Sequence, residues 1–398
     1  MFTKKISYAG QLGADQRELP NYFVDFIRGN DTLFITFEHS GKPLSRPKGT
    51  RKPWGIDFLV QKRGFSLLGV KPKYIDWYRK NDLHEFFRSA DFFEFVSEFR
   101  KVILYGGSMG GYAALAFAEA IPGCTVIALN PQSTLNRQLV PWENRFKDGW
   151  NENWNSDFHD AAVGAAFAKA VYVAYDPLLK LDRKHVERLD GKNLMHLKIP
   201  LVGHSMPIWL VQMGILGKIV DRIVADDLTE QEFYKMAQAR KSIPRYFTQM
   251  ANIAKSKAMR RNCVDRALAI DPMYKDALML LCRCLLDESR FIEVVVIAEN
   301  ILEEEGIEFA CRAYRGLGKL DKANHVLTRL VSNDKKTPLA YLLKAIGLAL
   351  SFNQLEIADQ LLAKAIGIAP NNSKVKQLAY VIRDKDSHDK IKKLPCKG

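Results

Sequence analysis

A chain of 398 residues, 47% hydrophobic and 26% charged, is long enough for two domains with cores of their own and excludes a disordered or fibrous protein. The formal net charge of +14 raises nucleic acid, anionic lipid or an acidic substrate as partners, but it divides evenly: residues 1–225 hold 30 Lys and Arg against 23 Asp and Glu, and the remainder 29 against 22. No basic domain stands out, so nucleic-acid binding is not expected; nor does any apolar run reach the length of a membrane span, or any secretory core follow Lys4 and Lys5, which points to a cytoplasmic protein.

In chain order, the first half alternates β-rich runs with helical patterns, the signature of a doubly wound, mostly parallel α/β sheet covered by helices. Strands are predicted at Thr32 to Phe37, Phe65 to Val70, Lys101 to Tyr105, Cys124 to Leu129, Ala170 to Ala174 and Leu197 to Val202, with helices over Tyr112 to Ala120, His185 to Leu189 and Ile208 to Val224. The strands are short, continuous apolar runs, as expected when both faces of a sheet are buried. From about Thr229 strands vanish and every apolar segment has helical spacing. The expected organisation is therefore an α/β domain over 1–228, a linker over 229–244 with Pro244 as a break, an all-α helical repeat domain over 245–384, and a basic mobile tail over 385–398.

Within the second half a motif recurs: Arg266 to Pro272 (RALAIDP), Ala298 to Leu302 (AENIL), Val326 to Leu330 (VLTRL) and Lys364 to Pro370 (KAIGIAP). The mean period is about a third of the interval from Pro272 to Pro370, close to the 34 residues of a tetratricopeptide repeat, which this segment resembles in degenerate form. The resemblance implies a surface that docks a protein partner or a large substrate. Six scattered cysteines (Cys124, Cys263, Cys282, Cys284, Cys311, Cys396) form neither a metal knuckle nor a disulfide framework and read mostly as small core hydrophobes; no metal or cofactor is expected.

The strongest chemical signal lies between the strand at Lys101 to Tyr105 and an alanine-rich helix: Gly106-Gly107-Ser108-Met109-Gly110. A serine exposed on a strained strand-to-helix turn needs small flanking residues, which Gly106 and Gly110 provide. The backbone N–H of Met109, unpaired at the helix start, would face the oxygen of a tetrahedral intermediate. A phosphate-binding loop would want Gly-Lys-Ser/Thr, which is missing.

In this context the pattern resembles the nucleophile elbow of the α/β-hydrolase superfamily over residues 30–225. That resemblance implies a Ser-His-acid triad in the order nucleophile, acid, histidine. Ser108 is then the nucleophile, and Gly203-His204 after the last strand supplies His204 as base, over His39, His84, His159, His185 and His196. His185, beside charges in a predicted helix, reads as a solvated surface residue. For the acid, Asp176 at a strand end and 28 positions before His204 resembles the family better than Asp182, 22 positions before it; Asp182 stays as the alternative, its other reading a helix N-cap. The second oxyanion donor is expected from the loop after Thr32 to Phe37, near Glu38, His39 or Ser40.

The loop from Ser40 to Pro53 carries Lys42, Arg46, Lys48, Arg51 and Lys52 without an acid, and reads either as a basic flap over an anionic substrate or as a solvated charge run. Asn130 to Ser133 with Trp142, Trp150 and Trp154 reads either as a small cap over the site or as packing. Together with Trp77-Tyr78-Arg79 this set is similar to bacterial hydrolases joined to repeat domains in surface-glycan pathways. The expected function is a serine esterase or deacylase on a small-molecule or glycan-linked acyl ester, with Lys42, Arg46, Arg51 and Trp142 as substrate contacts. Acyl transfer to a glycan hydroxyl by the same triad and a non-catalytic interaction scaffold are the alternatives.

Overall fold

The computed structural model describes residues 1–8, 12–41, 51–332 and 337–383. Its contacts divide the chain into two units, Met1–Arg240 and Lys241–Gly398.

The first unit is built on a nine-stranded sheet: β1 (Lys4–Tyr8), β2 (Leu12–Glu18), β3 (Tyr22–Ile27), β4 (Thr32–Phe37), β5 (Ser66–Pro72), β6 (Lys101–Gly107), β7 (Thr125–Leu129), β8 (Ala170–Tyr175) and β9 (Leu194–Lys198), in the order β1-β2-β3-β5-β4-β6-β7-β8-β9. From β5 to β9 all neighbours are parallel, while β1, β2 and β3 join antiparallel at the other edge. Every residue of β4, β5 and β7 is buried, as the unbroken apolar runs of β4 and β7 require.

The helices α1 (Asn81–Arg88), α2 (Ala90–Ser97), α3 (Met109–Ala116), α4 (Ala161–Ala165), α5 (Lys180–Val186), α6 (Met206–Gln212), α7 (Leu216–Val224) and α8 (Glu230–Ala237) complete this unit. Helix α3 is buried at every position and packs on β4, β6 and β7. One main core runs through Phe87, Phe92, Phe117 and Phe158, with the last two rings stacked at 4.3 Å between centroids.

Register explains where a site forms. Phe37 lies opposite Gly106, Gly107 opposite Leu129, Leu129 opposite Ala174 and Tyr175 opposite Lys198. The carboxyl ends of five parallel strands are therefore level, and the loops leaving them meet along one edge of the sheet, where open α/β sheets bind ligands.

Several elements differ from their sequence readings. The antiparallel strands β1 to β3 were not expected; β1 (KKISY) and β2 (LGADQRE) are half exposed and too polar to stand out. The last strand ends at Lys198, and the segment Leu197 to Val202 is mostly loop beyond it. Ile208 to Val224 is two helices, α6 and α7, parted at Gly214, whose φ of 68° a continuous helix does not accept. Residues 229–244 are no linker: Thr229 and Glu232 form a capping box that starts α8, and α8 packs on β9.

The second unit is all-helical among its described residues: α9 (Pro244–Ile253), α10 (Lys257–Ile270), α11 (Lys275–Asp287), α12 (Phe291–Asn300), α13 (Ile307–Gly316), α14 (Leu320–Ser332), α15 (Leu339–Ser351), α16 (Leu355–Ile368) and α17 (Ser373–Arg383). Pro244 opens α9 as a first-turn proline. Each helix packs on the next, and α9, α11, α13 and α15 also pack in succession. Cys263, Cys282, Cys284 and Cys311 are free and buried, as is Cys124 in the first unit. Cys396 and the basic tail lie outside the described residues. No helix is long and apolar enough to cross a membrane among the described residues.

Candidate active site

Ser108 sits between β6 and α3 at φ 54°, ψ −120°, a strained conformation for a residue with a side chain. Its two glycine neighbours explain how the turn closes. A Cβ on Gly106 would land on the Gly110 carbonyl, and one on Gly110 would land on the Phe37 carbonyl. The Ser108 N–H is fixed by the Leu129 carbonyl at 2.9 Å, which leaves the hydroxyl facing the loops of the neighbouring strands.

His204 leaves the loop after β9. Its Nε2 lies 3.1 Å from Ser108 Oγ, and its Nδ1 lies 2.6 Å from Asp182 Oδ2. Since a carboxylate only accepts, Nδ1 carries the proton and Nε2 is free to accept from the serine. Asp182, in the first turn of α5, is fully buried, whereas His204 is 35% exposed toward the pocket. Burial alone would raise the Asp182 carboxyl, but hydrogen bonds and charge from His204 and Arg145 outweigh it and hold it below the ordinary aspartate value.

The structure gives the hydrogen bond to His204 to Asp182 and not to Asp176. Asp176 is also buried, but it turns to backbone: Oδ2 accepts from the Gly203 N–H at 2.8 Å and Oδ1 from the Leu178 N–H at 2.9 Å. It thereby anchors the loop that presents His204. A short turn and the start of α5 carry the chain away from the strand end, so the carboxylate that meets the imidazole comes six residues later.

A charged network stands behind Asp182. Arg145 Nη1 donates to Asp182 Oδ1 at 2.6 Å, and Arg145 is held by the Glu143 carboxylate, with Nη2 to Oε2 at 2.7 Å. His185 is completely buried, not solvated: its Nδ1 accepts from the Ser133 N–H at 3.1 Å, so the proton is on Nε2, which donates to Glu143 Oε2 at 3.0 Å. Burial pushes the His185 imidazole down and keeps it neutral. Glu143, despite its burial, is held down to about 2 by hydrogen bonds from His185 and Arg145.

The pocket in front of Ser108 has a volume of about 370 Å³. Apolar walls come from Trp54, Phe146, Pro207 and Ile208, and polar ones from His39, Ser40 and Asn130. Met109 is the first residue of α3, so its N–H has no partner within the helix. His39 and Ser40 border the same pocket from the end of β4, where the second oxyanion donor was expected. Glu38 just before them is pinned by Arg51 and, through its carbonyl, by the Tyr78 hydroxyl at 2.8 Å.

Of the four expected substrate contacts, Lys42 and Arg46 lie outside the described residues, as does Lys48. Arg51 is not a substrate contact: it is buried, pairs with Glu38 at 2.8 Å and donates to the Pro72 carbonyl at 2.9 Å. Trp142 is not in the pocket either, because its ring packs on His185 at 4.6 Å between centroids. Trp154 is buried and donates to the Gly149 carbonyl, and Trp150 lies under the Arg137 guanidinium. These tryptophans pack the domain, and Phe146 is the aromatic of that segment that reaches the site.

Sequence reasoning placed Asn130 and Gln132 only in a segment that caps the site or packs the domain, and it missed Glu143 and Arg145. Asn130 Nδ2 lies 3.2 Å from His204 Nε2, and Gln132 Oε1 lies 3.3 Å from Ser108 Oγ. Their one signal was position, directly after the strand next to the elbow strand. Among the described residues no group of three His, Cys, Asp or Glu is placed to hold a metal ion.

No protein-family model matches the chain, and no curated protein matches it in sequence. Similar solved structures include the capsule O-acetyltransferase of Neisseria meningitidis serogroup A in complex with caged gadolinium, at 14% identity and a TM-score of 0.36 over 53% of this chain and 96% of that one. Est1E from Butyrivibrio proteoclasticus is similar at 11% identity and a TM-score of 0.35, over 53% of this chain and 99% of that one. Substrate-bound FphF, a fluorophosphonate-binding serine hydrolase of Staphylococcus aureus, is similar at 12% identity and a TM-score of 0.33, over 51% and 95%. Scores this low support no conclusion about activity. By its own strand order, elbow and loop placement, the first unit has the α/β-hydrolase fold, followed by an all-helical region.

Proposed function

We propose that the chain is a serine hydrolase that cleaves an oxygen ester through an acyl-enzyme, with Ser108, His204 and Asp182 as its triad. The observation that carries this reading is the continuous path from Ser108 Oγ through the His204 ring to Asp182, at 3.1 and 2.6 Å, opening on a pocket. His204 Nε2 takes the Ser108 proton as Oγ attacks the acyl carbon, and Asp182 keeps the imidazole in the tautomer able to do so. The resulting oxyanion is met by the Met109 N–H and a second N–H from His39 or Ser40. His204 then gives its proton to the leaving alcohol, and water repeats the sequence to release the acid.

The apolar lining favours an uncharged acyl group. Lys42, Arg46 and Lys48, the basic residues of the anionic-substrate reading other than Arg51 and Lys52, lie outside the described residues. A pure scaffold would have no need of a buried carboxylate aligned on the histidine. The helical unit suits a docking role: its helices pair as α9/α10, α11/α12, α13/α14 and α15/α16, the first members starting at Pro244, Lys275, Ile307 and Leu339. That spacing, about 32 residues, is near the 34 of tetratricopeptide repeats. A cytoplasmic location fits the free buried cysteines.

The test is hydrolysis of p-nitrophenyl acetate by the full chain. Ser108→Ala and His204→Ala should each lower kcat by at least about 10³-fold with unchanged circular dichroism. Activity that survives both substitutions would remove the reading.

A further inference from the structure

The hydroxyl of Ser108 has two acceptors within reach, His204 Nε2 at 3.1 Å and Gln132 Oε1 at 3.3 Å, but one proton. It cannot donate to both. If it serves Gln132, the path to His204 is broken. Gln132 is completely buried, and its Nε2 has no hydrogen-bond partner among the described residues. Both conflicts disappear when the amide turns by half a revolution. Nε2 then donates to Ser108 Oγ, and the serine proton is left for His204. The atom left without a partner becomes a carbonyl-type oxygen, a less costly orphan than a buried N–H. Asn130 and Pro131 tie Gln132 directly to the end of β7, which runs level with the end of β6, so the amide is carried by the sheet.

On the hydrolase reading above, we infer that Gln132 is a further catalytic residue, donating an amide N–H to Ser108 Oγ throughout the reaction. In acylation Oγ bonds to the acyl carbon while its proton passes to His204 Nε2 and the carbonyl π pair moves onto oxygen. As that pair returns, the bond from the acyl carbon to the alcohol oxygen breaks and the alcohol leaves with the proton from His204. In deacylation a water gives its proton to His204 and bonds to the acyl carbon. The acyl carbon–Oγ bond then breaks, and Oγ takes that proton back. Oγ carries developing negative charge as its proton leaves and again as it departs from the acyl carbon. A donor fixed on Oγ assists both moments and keeps the hydroxyl pointed at the base, whereas the oxyanion donors act on a different oxygen.

The experiment compares the full chain with Gln132→Met and Gln132→Glu, using a fluorophosphonate probe and p-nitrophenyl acetate. Met has nearly the same length and no donor; Glu, assayed at a pH high enough to ionise it in this buried position, presents acceptors on both atoms. We expect the second-order labelling rate and kcat to fall about 10²-fold in Gln132→Met, with KM little changed, and further in Gln132→Glu. Gln132→Asn keeps a buried amide but withdraws it by one methylene, so it should fold and lose activity to a similar degree; it decides the matter if the Met variant is insoluble. Labelling of Gln132→Met, or of Gln132→Asn in its place, within two-fold of the unsubstituted chain overturns the inference, as does Gln132→Glu reacting faster than Gln132→Met. Either result leaves the hydrolase reading intact. A chain that is not labelled in its natural form overturns that reading, and this inference with it.

Discussion

Two aspartates in one short stretch, both buried, are assigned opposite tasks by their neighbours. Asp182 receives the His204 imidazole and the Arg145 guanidinium, whereas Asp176 receives two backbone N–H groups. Asp182→Asn should therefore lower kcat by about 10⁴-fold, since the tautomer of His204 is lost. Asp176→Asn should leave kcat within about tenfold but cost on the order of 1–3 kcal/mol, one buried N–H being left facing an amide N–H; differential scanning calorimetry would read the fall in Tm. Reversed kinetic losses would return the triad role to Asp176. Glu143 makes a pH prediction. Its folded-state value of about 2 lies below the ordinary 4.5, so its contribution, up to about 3 kcal/mol, is complete above that ordinary value and is lost as the pH falls toward 2. Glu143→Gln should flatten the dependence of urea-unfolding stability on pH in that window, and an unchanged slope would contradict the assignment.

At the scale of elements, the elbow is where the demands of local structure are tightest. Gly106→Ala and Gly110→Ala each drive a methyl into backbone and should abolish both folding and labelling, while Gly107→Ala, whose Cβ would meet a side-chain atom of Pro207 at 3.2 Å, should remain folded. A soluble, reactive Gly110→Ala would show that the turn closes otherwise. The same elbow was legible in the sequence because glycine, serine and the flanking apolar strand are each forced by sterics. The placement of His204 beside Ser108 was legible for a similar reason, since it stands in a Gly-His loop beyond the last strand run. The carboxylate that meets His204 was harder, because the reach of Asp182 depends on how α5 leaves β8, which no residue type records. Glu143, Arg145 and His185 were invisible as a group, since charged residues in a polar stretch look solvated until the fold buries them. The antiparallel strands β1 to β3 failed for other reasons: β1 and β2 are half-exposed, and a short run with charges reads as loop, while β3 is buried throughout but its apolar run is broken by Asp25.

For the whole molecule, the two contact units make a prediction about where the chain can be cut. Helix α8 packs on β9 and belongs to the first unit, so a chain ending at Arg240 should remain soluble and react with a fluorophosphonate, while one ending at Asp227 should be destabilised by the loss of buried Phe233. A fragment from Lys241 onward should be helical by circular dichroism, because its core is built of contacts between successive helices. An insoluble chain ending at Arg240 would mean that the first unit depends on the second for its stability.

The central claim is that Ser108 is a nucleophile activated by His204 and Asp182. Its most direct test is to treat the full chain with a fluorophosphonate, digest it, and locate the adduct by tandem mass spectrometry. The geometry predicts one phosphonyl group on Ser108, absent from Ser108→Ala and strongly slowed in Asp182→Asn. An adduct that persists in Ser108→Ala, or a natural chain that takes up none, would contradict it.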